Sequence, residues 1–247
     1  MRILFVVYDN GSYIHQFPMG LAYIASALLK DGYDITIYNQ DMHHYPDEHL
    51  TQYLNKNKFD VVCISIIAGY YQYKKLVAIS NAINKSKNRP TYLLGGHGPS
   101  PEPEFFLQKT KADIVVIGEG EETIKELMDA LANKKSLEEL KGIAYRQGDR
   151  VVVNQRRPLI KDVDSILRPA WHLFPINYYR LIRIGPHSQK TDFLMPVLSG
   201  RGCTFECNFC YRMDTGFRPR SNEAIIEEIE ILKKDYRINY IDFLDEL

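Results

Sequence analysis

Residues 2–7, RILFVV, and 59–67, FDVVCISII, are apolar runs with no polar face. A strand of that kind must be covered on both sides, so it belongs inside a sheet. Segments of a different period follow each run. Residues 19–32, MGLAYIASALLKDG, carry apolar side chains at helical spacing and end on Gly32, a stop signal. The alternation continues with a strand at 33–38, a modest helix at 49–58, an amphipathic helix at 71–86 and a strand at 91–96. A short helix at 103–110, a strand at 112–120 and a helix at 121–135 complete it. Five strands separated by helices predict βαβ units. The expected fold is α/β, with a doubly wound, parallel, five-stranded sheet of Rossmann or flavodoxin-like type over residues 1–138.

Ligands of such sheets sit beyond the carboxyl ends of the strands. That rule nominates the loops 8–18, 65–71, 95–101 and 118–121, and in them Ser65, Gly95, Gly96, His97, Gly118, Glu119 and Gly120. Glycine lets backbone approach a bulky ligand closely. Residues 139–191 read as a hairpin, turning at Gly148 and Asp149, and a proline-spaced connector. Trp171, Phe174, Tyr178 and Tyr179 imply that the connector is ordered, because they need something to pack against. From 192 to 247 come a strand, a cysteine-bearing loop, a helix capped by Ser221 and a second strand. This is the beginning of an α/β barrel. Two parallel strands cannot bury their own faces, so the chain is expected to be a fragment or to receive a partner surface.

Lys and Arg number 31, as do Asp and Glu, so no long-range attraction to nucleic acid is expected. Residues 141–220 nevertheless hold 14 Lys/Arg against 6 Asp/Glu, either a solvated face or a surface for an anionic group. No apolar run is long enough for a membrane span, and the N-terminus lacks the pattern of a signal peptide. The chain therefore reads as cytoplasmic, where thiols stay reduced and clustered cysteines are metal ligands or catalytic groups.

Residues 198–212, LSGRGCTFECNFCYR, place Cys203, Cys207 and Cys210 at the spacing C-x3-C-x2-C. Three thiolates can hold three irons of a [4Fe–4S] cluster and leave the fourth iron open to a small molecule. An open coordination position on a metal points to chemistry rather than to structure. Zinc would need a fourth ligand, with His172 or His187 as the nearest candidates. Gly200, Gly202 and Asn208 make a single buried helix face a poor alternative. Phe209 offers an aromatic face beside the open iron, Arg201 and Arg212 offer positive charge to the thiols, and Cys63 lies in a strand as a core residue.

The cysteine stretch resembles the radical S-adenosylmethionine superfamily, whose members share C-x3-C-x-aromatic-C after the first strand of an α/β barrel. The segments PMGLAYIASALLKDGYDITIYNQD, FDVVCISII, LLGGHGPSPEPEFF, ADIVVIGEGEET and IKDVDSILRPAWHLFP resemble the subgroup that carries a cobalamin-binding domain ahead of that barrel. The resemblance implies a [4Fe–4S] cluster on Cys203, Cys207 and Cys210, S-adenosylmethionine bound at its open iron beside Phe209, and cobalamin. Ser65, Gly95 and Gly96 correspond to the elements around the cobalamin nucleotide tail. The loop after the first strand lacks the D-x-H-x-x-G motif whose histidine ligates cobalt, and DMHHYP at 41–46 has Pro46 where glycine belongs. The expectation is thus base-off cobalamin with no histidine on cobalt.

The function so implied is reductive cleavage of S-adenosylmethionine to start radical chemistry, with methyl transfer to an unactivated carbon. The alternatives are a cobalamin-containing cyclase or rearrangement enzyme, or a binding module without catalysis. A transfer-RNA methylthiotransferase would carry three more cysteines near its N-terminus, and only Cys63 precedes Cys203. The implied partners are a small-molecule or natural-product substrate and an electron donor such as flavodoxin or ferredoxin.

Overall fold

The computed structural model describes residues 1–11, 16–67, 69–182, 189, 191–208, 210 and 213–245. The first elements are β1 (Arg2–Val7), α1 (Met19–Lys30), β2 (Asp34–Asn39), α2 (Gln40–His43), α3 (Asp47–Lys56) and β3 (Val61–Ser65). They continue with α4 (Tyr70–Asn84), β4 (Thr91–Gly95), α5 (Pro103–Thr110), β5 (Ile114–Val116) and α6 (Glu121–Ala132). The five strands are parallel, in the order β2-β1-β3-β4-β5.

Ile3, Leu4, Phe5 and Val6 of β1 are all fully buried. Ile3 and Phe5 share a core with Ala22, Leu28 and Leu127 of α1 and α6. Leu4 and Val6 share another with Leu50, Leu76 and Ile79 of α3 and α4. The polar-free run is therefore explained by two helical layers, one on each face of the sheet. Full burial of each such side chain stabilises the fold by about 1.5–3 kcal/mol.

Two elements differ from expectation. A short helix, α2, follows β2 directly. The Asn39 side chain accepts a hydrogen bond from the Met42 N–H (2.9 Å) and so caps it, a local signal that its length of one turn hides from periodicity. The hairpin β6 (Ile143–Gln147) and β7 (Arg150–Val153) is not a free-standing connector: β6 pairs antiparallel with β5 and extends the sheet to seven strands. This pairing covers the outer edge of β5, whose N–H and C=O groups would otherwise lack partners.

The connector straps the two units together. It holds two 3-10 turns, Val163–Ser165 and Trp171–Leu173, and α7 (Ile176–Tyr179). The Ala170 N–H donates to the Ala22 carbonyl (3.0 Å), Asn39 Nδ2 to Tyr179 Oη (3.0 Å) and Tyr178 Oη to the Asp41 carbonyl (2.6 Å). On the other side Arg180 Nη1 donates to the Tyr236 carbonyl (3.0 Å), and the Trp171 ring meets that of Tyr236 edge-on. These are the partners that the aromatic residues of the connector required.

The last unit comprises β8 (Leu194–Val197), β9 (Gly200–Arg201), β10 (Arg218–Pro219), α8 (Asn222–Tyr236) and β11 (Tyr240–Phe243). β8 and β11 pair in parallel, and β9 pairs antiparallel with β10. Ser221 caps α8 by accepting from the Ala224 N–H (3.2 Å). Tyr240, Phe243 and Leu244 remain exposed. Among the described residues no helix is long and apolar enough to cross a membrane.

Candidate cofactor site

The strand order reverses between β1 and β3, which places the crevice of the sheet at the carboxyl ends of β1, β3, β4 and β5. Ser65 ends β3 and lies in register with Gly95, the last residue of β4. Gly96 follows with φ +98°. A Cβ there would lie 2.3 Å from the Ile66 carbonyl oxygen and 2.7 Å from Ser65 Oγ, so backbone packing alone requires glycine. Gly95 is different. Its nearest neighbours, atoms of Val116, are 3.8 Å from where a Cβ would sit. His97 is half-buried in the next turn.

Ser100 is a residue the sequence did not single out. It is buried, its Oγ donates to the Gly96 carbonyl (2.8 Å) and accepts from the Gly118 N–H (3.1 Å), and it thereby locks the loops after β4 and β5 together. A serine in a glycine-rich loop gives no sequence signal of this kind. Gly118 has φ +76° and nothing within 4 Å of a Cβ position. A Cβ on Gly120 would lie 2.7 Å from Ile24 Cδ1, so that residue serves the close packing of α6 on α1. The nominated glycines thus divide. Gly96 is required by backbone packing and Gly120 fits closely under the Ile24 side chain, whereas a Cβ on Gly95 would make ordinary contact with Val116 and one on Gly118 would face open space.

Of the loop after β1, residues 12–15, with His15, lie outside the described residues. Asp9 at its start pairs with His44 Nδ1 (3.0 Å) and Lys75 Nζ (3.5 Å). Burial pushes its carboxyl up, but the Gly11 N–H, His44 and Lys75 outweigh burial and hold it below the usual carboxylate value. Burial, with Asp41 and Tyr71, pushes the neighbouring Tyr8 hydroxyl up to about 12. His43, at the histidine position of the stretch that began like the cobalt-ligating motif, borders a cavity at β2, and its neighbour His44 is paired with Asp9.

The cysteine loop leaves the second unit between β9 and β10. Gly202 has φ +83°, and a Cβ on it would lie 2.2 Å from the Gly216 carbonyl oxygen. The two sides of the loop touch there, and Cys203 bridges to Thr215. Cys203 is half-buried, Cys207 and Cys210 are exposed, and none of the three is in a disulfide. The Cys210 N–H donates to the Cys207 carbonyl (3.2 Å). Phe209, Arg212 and His187 lie outside the described residues. Asp245 accepts from the Ser199 N–H (2.8 Å), which ties the end of the last strand to the base of the loop.

Arg201 does not lend its charge to the thiols, as the sequence suggested. Its Nη1 donates to Glu119 (3.0 Å) and its Nη2 to Glu121 (2.5 Å). Arg218 donates to both oxygens of Glu119 (3.0 and 3.1 Å), to Asp214 (3.3 Å) and to the Ile160 carbonyl (2.6 Å). The Ile160 N–H completes the set by donating to Glu119 (2.7 Å). Burial works against the Arg201 charge, but Glu121 and then Glu119 outweigh it and hold the guanidinium above its ordinary value. Glu119, nominated for a cofactor, therefore has its carboxylate engaged by two arginines and a backbone N–H. Part of the basic excess of 141–220 is answered by acids from outside that stretch, since Arg157 pairs with Glu126, Arg168 with Glu227 and Arg220 with Glu228.

Among the described residues no three His, Cys, Asp or Glu side chains stand gathered as a ready metal site. The fit of an iron–sulfur cluster therefore rests on the donor set: three cysteines on one loop, outside any disulfide, two of them exposed. Cys63 is excluded from that set, since it is buried in β3 and burial pushes its thiol far up. For cobalamin the fit rests on the open space beside Gly118 at the carboxyl end of the sheet. A separate cavity of 450 Å³ lies at the edge strand β2, lined by Tyr38, His43, Tyr45, His49 and Phe174 among others, and none of the nominated residues borders it.

Residues 11–128 match the family described as the B12 binding domain. The chain is 31% identical over 257 residues to an uncharacterized methyltransferase of Pyrococcus horikoshii, covering 100% of this chain and 53% of that protein. It is 27% identical over 259 residues to the anaerobic magnesium-protoporphyrin IX monomethyl ester cyclase of Rubrivivax gelatinosus, covering 100% of this chain and 45% of the relative. The chain thus spans about half the length of the curated relatives it matches. Its fold is similar to that of the radical S-adenosylmethionine methyltransferase TsrM from Kitasatospora setae. The TM-score is 0.75 at 17% identity, over 99% of this chain and 47% of that one.

Proposed function

From a chain that belongs to the B12-binding radical S-adenosylmethionine proteins, we infer that Cys203, Cys207 and Cys210 hold a [4Fe–4S] cluster that works with cobalamin bound at the carboxyl end of the N-terminal sheet. The observation that carries the reading is a loop with three thiols and no fourth, joined by buried ion pairs to the B12 domain. When bound, the cluster and cobalamin supply one-electron cleavage of S-adenosylmethionine and a methyl carrier, respectively. The chain's own residues bind and orient. The three cysteines contribute thiolates and leave a coordination position open. Gly118, with open space where a side chain would stand, allows backbone to approach cobalamin, and Gly95, Ser65 and His97 at the ends of β3 and β4 are assigned to the same crevice. Gly202 and Gly216 close the base of the cysteine loop, and Asp245 holds Ser199 beneath it.

The activity of the whole protein is methyl transfer to an unactivated carbon of a small molecule, with electrons from a flavodoxin or ferredoxin. Two relatives favour different outcomes, one named a methyltransferase and one a cyclase. S-adenosylhomocysteine and a methylated product support transfer, and 5′-deoxyadenosine without methylation supports cyclisation. The test of the site is anaerobic reconstitution with iron, sulfide and hydroxocobalamin, followed by metal analysis. About four irons and one cobalt per chain are expected. Zinc in place of iron, or no cobalt, overturns the reading.

A further inference from the structure

We propose that Glu119 is a positioning residue that seats the cysteine loop on the B12 domain, acting through Arg201 and Arg218, with Glu121 as a second anchor. The proposal rests on the cysteines being ligands, and it assigns to the β5–α6 loop a role in placing them.

The geometry is specific. Arg201 precedes Cys203 by two residues, with the Gly202 turn between them. Arg218 lies opposite Arg201 in the β9–β10 ladder, and Thr215, which forms an isolated bridge with Cys203, lies three residues before Arg218. Both guanidiniums therefore leave one rung at the base of the loop and converge on one carboxylate of the other domain. The side chains of Arg201, Arg218, Glu119, Glu121 and Asp214 are all largely withdrawn from solvent, with 7–16% exposed.

Electrostatic attraction alone does not explain such a set, because desolvation offsets much of the gain when ion pairs are buried. What a buried guanidinium fork supplies is direction: it meets carboxylate oxygens only in a narrow range of orientations. Apolar contact could hold the loop down, but it could not set its rotation. Glu119 itself is fixed by the Ile160 N–H and lies between Gly118 and Gly120. The loop after β5 thus presents Gly118 to the crevice and Glu119 to the cysteine loop. One short segment references both cofactor regions to the same backbone.

The test uses the full cofactor-free chain and residue-resolved alkylation by iodoacetamide, read by mass spectrometry. The variants are Glu119→Gln and Arg218→Gln, and Cys63 in the core of β3 is an internal sentinel of global unfolding. In both variants Cys203 is expected to react about tenfold faster than in the wild type, as a locally opened loop does, while Cys63 stays protected. Arg218→Lys keeps the charge and loses the fork, so it is expected to behave like Arg218→Gln. Iron retained after reconstitution should fall in the same variants. An unchanged Cys203 rate with Cys63 protected overturns the proposal. So does exposure of Cys63 together with Cys203 in both variants, since the network would then hold up the domain rather than the loop. Wild-type protein that takes up no iron sinks the ligand reading separately, without altering the alkylation result.

Discussion

Gly95 and Gly96 are adjacent and chemically identical, yet the structure assigns them opposite consequences when a methyl group is added. In Gly96→Ala the new Cβ would meet the Ile66 carbonyl oxygen at 2.3 Å and Ser65 Oγ at 2.7 Å, from a backbone at φ +98°. Backbone strain of about 1–3 kcal/mol and overpacking of about 1–3 kcal/mol together remove about 2–6 kcal/mol of stability. With a urea slope of about 2 kcal/mol per molar, the unfolding midpoint falls by about 1–3 M. In Gly95→Ala the Cβ would make an ordinary van der Waals contact with Val116 at 3.8 Å, and φ lies outside the left-handed region. Stability is then unchanged or raised by about 0.4–1 kcal/mol through loss of unfolded-state freedom. Urea titration followed by far-ultraviolet circular dichroism measures both, and the absorbance change of hydroxocobalamin on binding measures occupancy of the crevice. Gly95→Ala is expected to fold normally and to bind hydroxocobalamin poorly. A Gly96→Ala chain that unfolds at the wild-type midpoint refutes the steric reasoning. A Gly95→Ala chain that binds hydroxocobalamin unchanged refutes the placement of the ligand.

Cys203→Ala, Cys207→Ala and Cys210→Ala should each lower reconstituted iron from about four per chain toward zero. Cys63→Ala should leave it unchanged, as iron analysis will show. Arg220→Leu strands the fully buried Glu228, 2.6 Å from Arg220, and should cost about 3–5 kcal/mol in urea titration, most of which Arg220→Leu with Glu228→Leu restores. Burial already raises the Glu228 carboxyl against the pull of Arg220 and Arg168. A raised carboxyl favours the folded state below its unfolded value of 4.5 and ceases to do so as pH rises through the folded value, so the Arg220→Leu defect should be smaller in acid than at neutral pH. Asp9 has the opposite sign. Its lowered carboxyl stabilises the fold above 3.8, and that contribution is lost as pH falls through the folded value, so Asp9→Asn should flatten the acid limb of a Tm-against-pH curve.

The α/β layering was legible in the sequence because it is a local matter. RILFVV and FDVVCISII have no polar face, and helical spacing between them leaves few other folds. The three thiols were legible for the same reason, since their spacing is covalent. Tertiary structure alone decided which strand β6 would pair with, that Ser100 would bind the loops after β4 and β5, and that Gly95 and Gly96 would differ in clearance. It also turned Arg201 away from the cysteines and toward Glu119 and Glu121, which lie 82 and 80 residues earlier in the chain. Composition and periodicity record the preferences of a segment for burial or solvent. They carry no information about which distant charge or hydroxyl will stand opposite, because that choice is made only when the layers close and each buried polar group must find a partner.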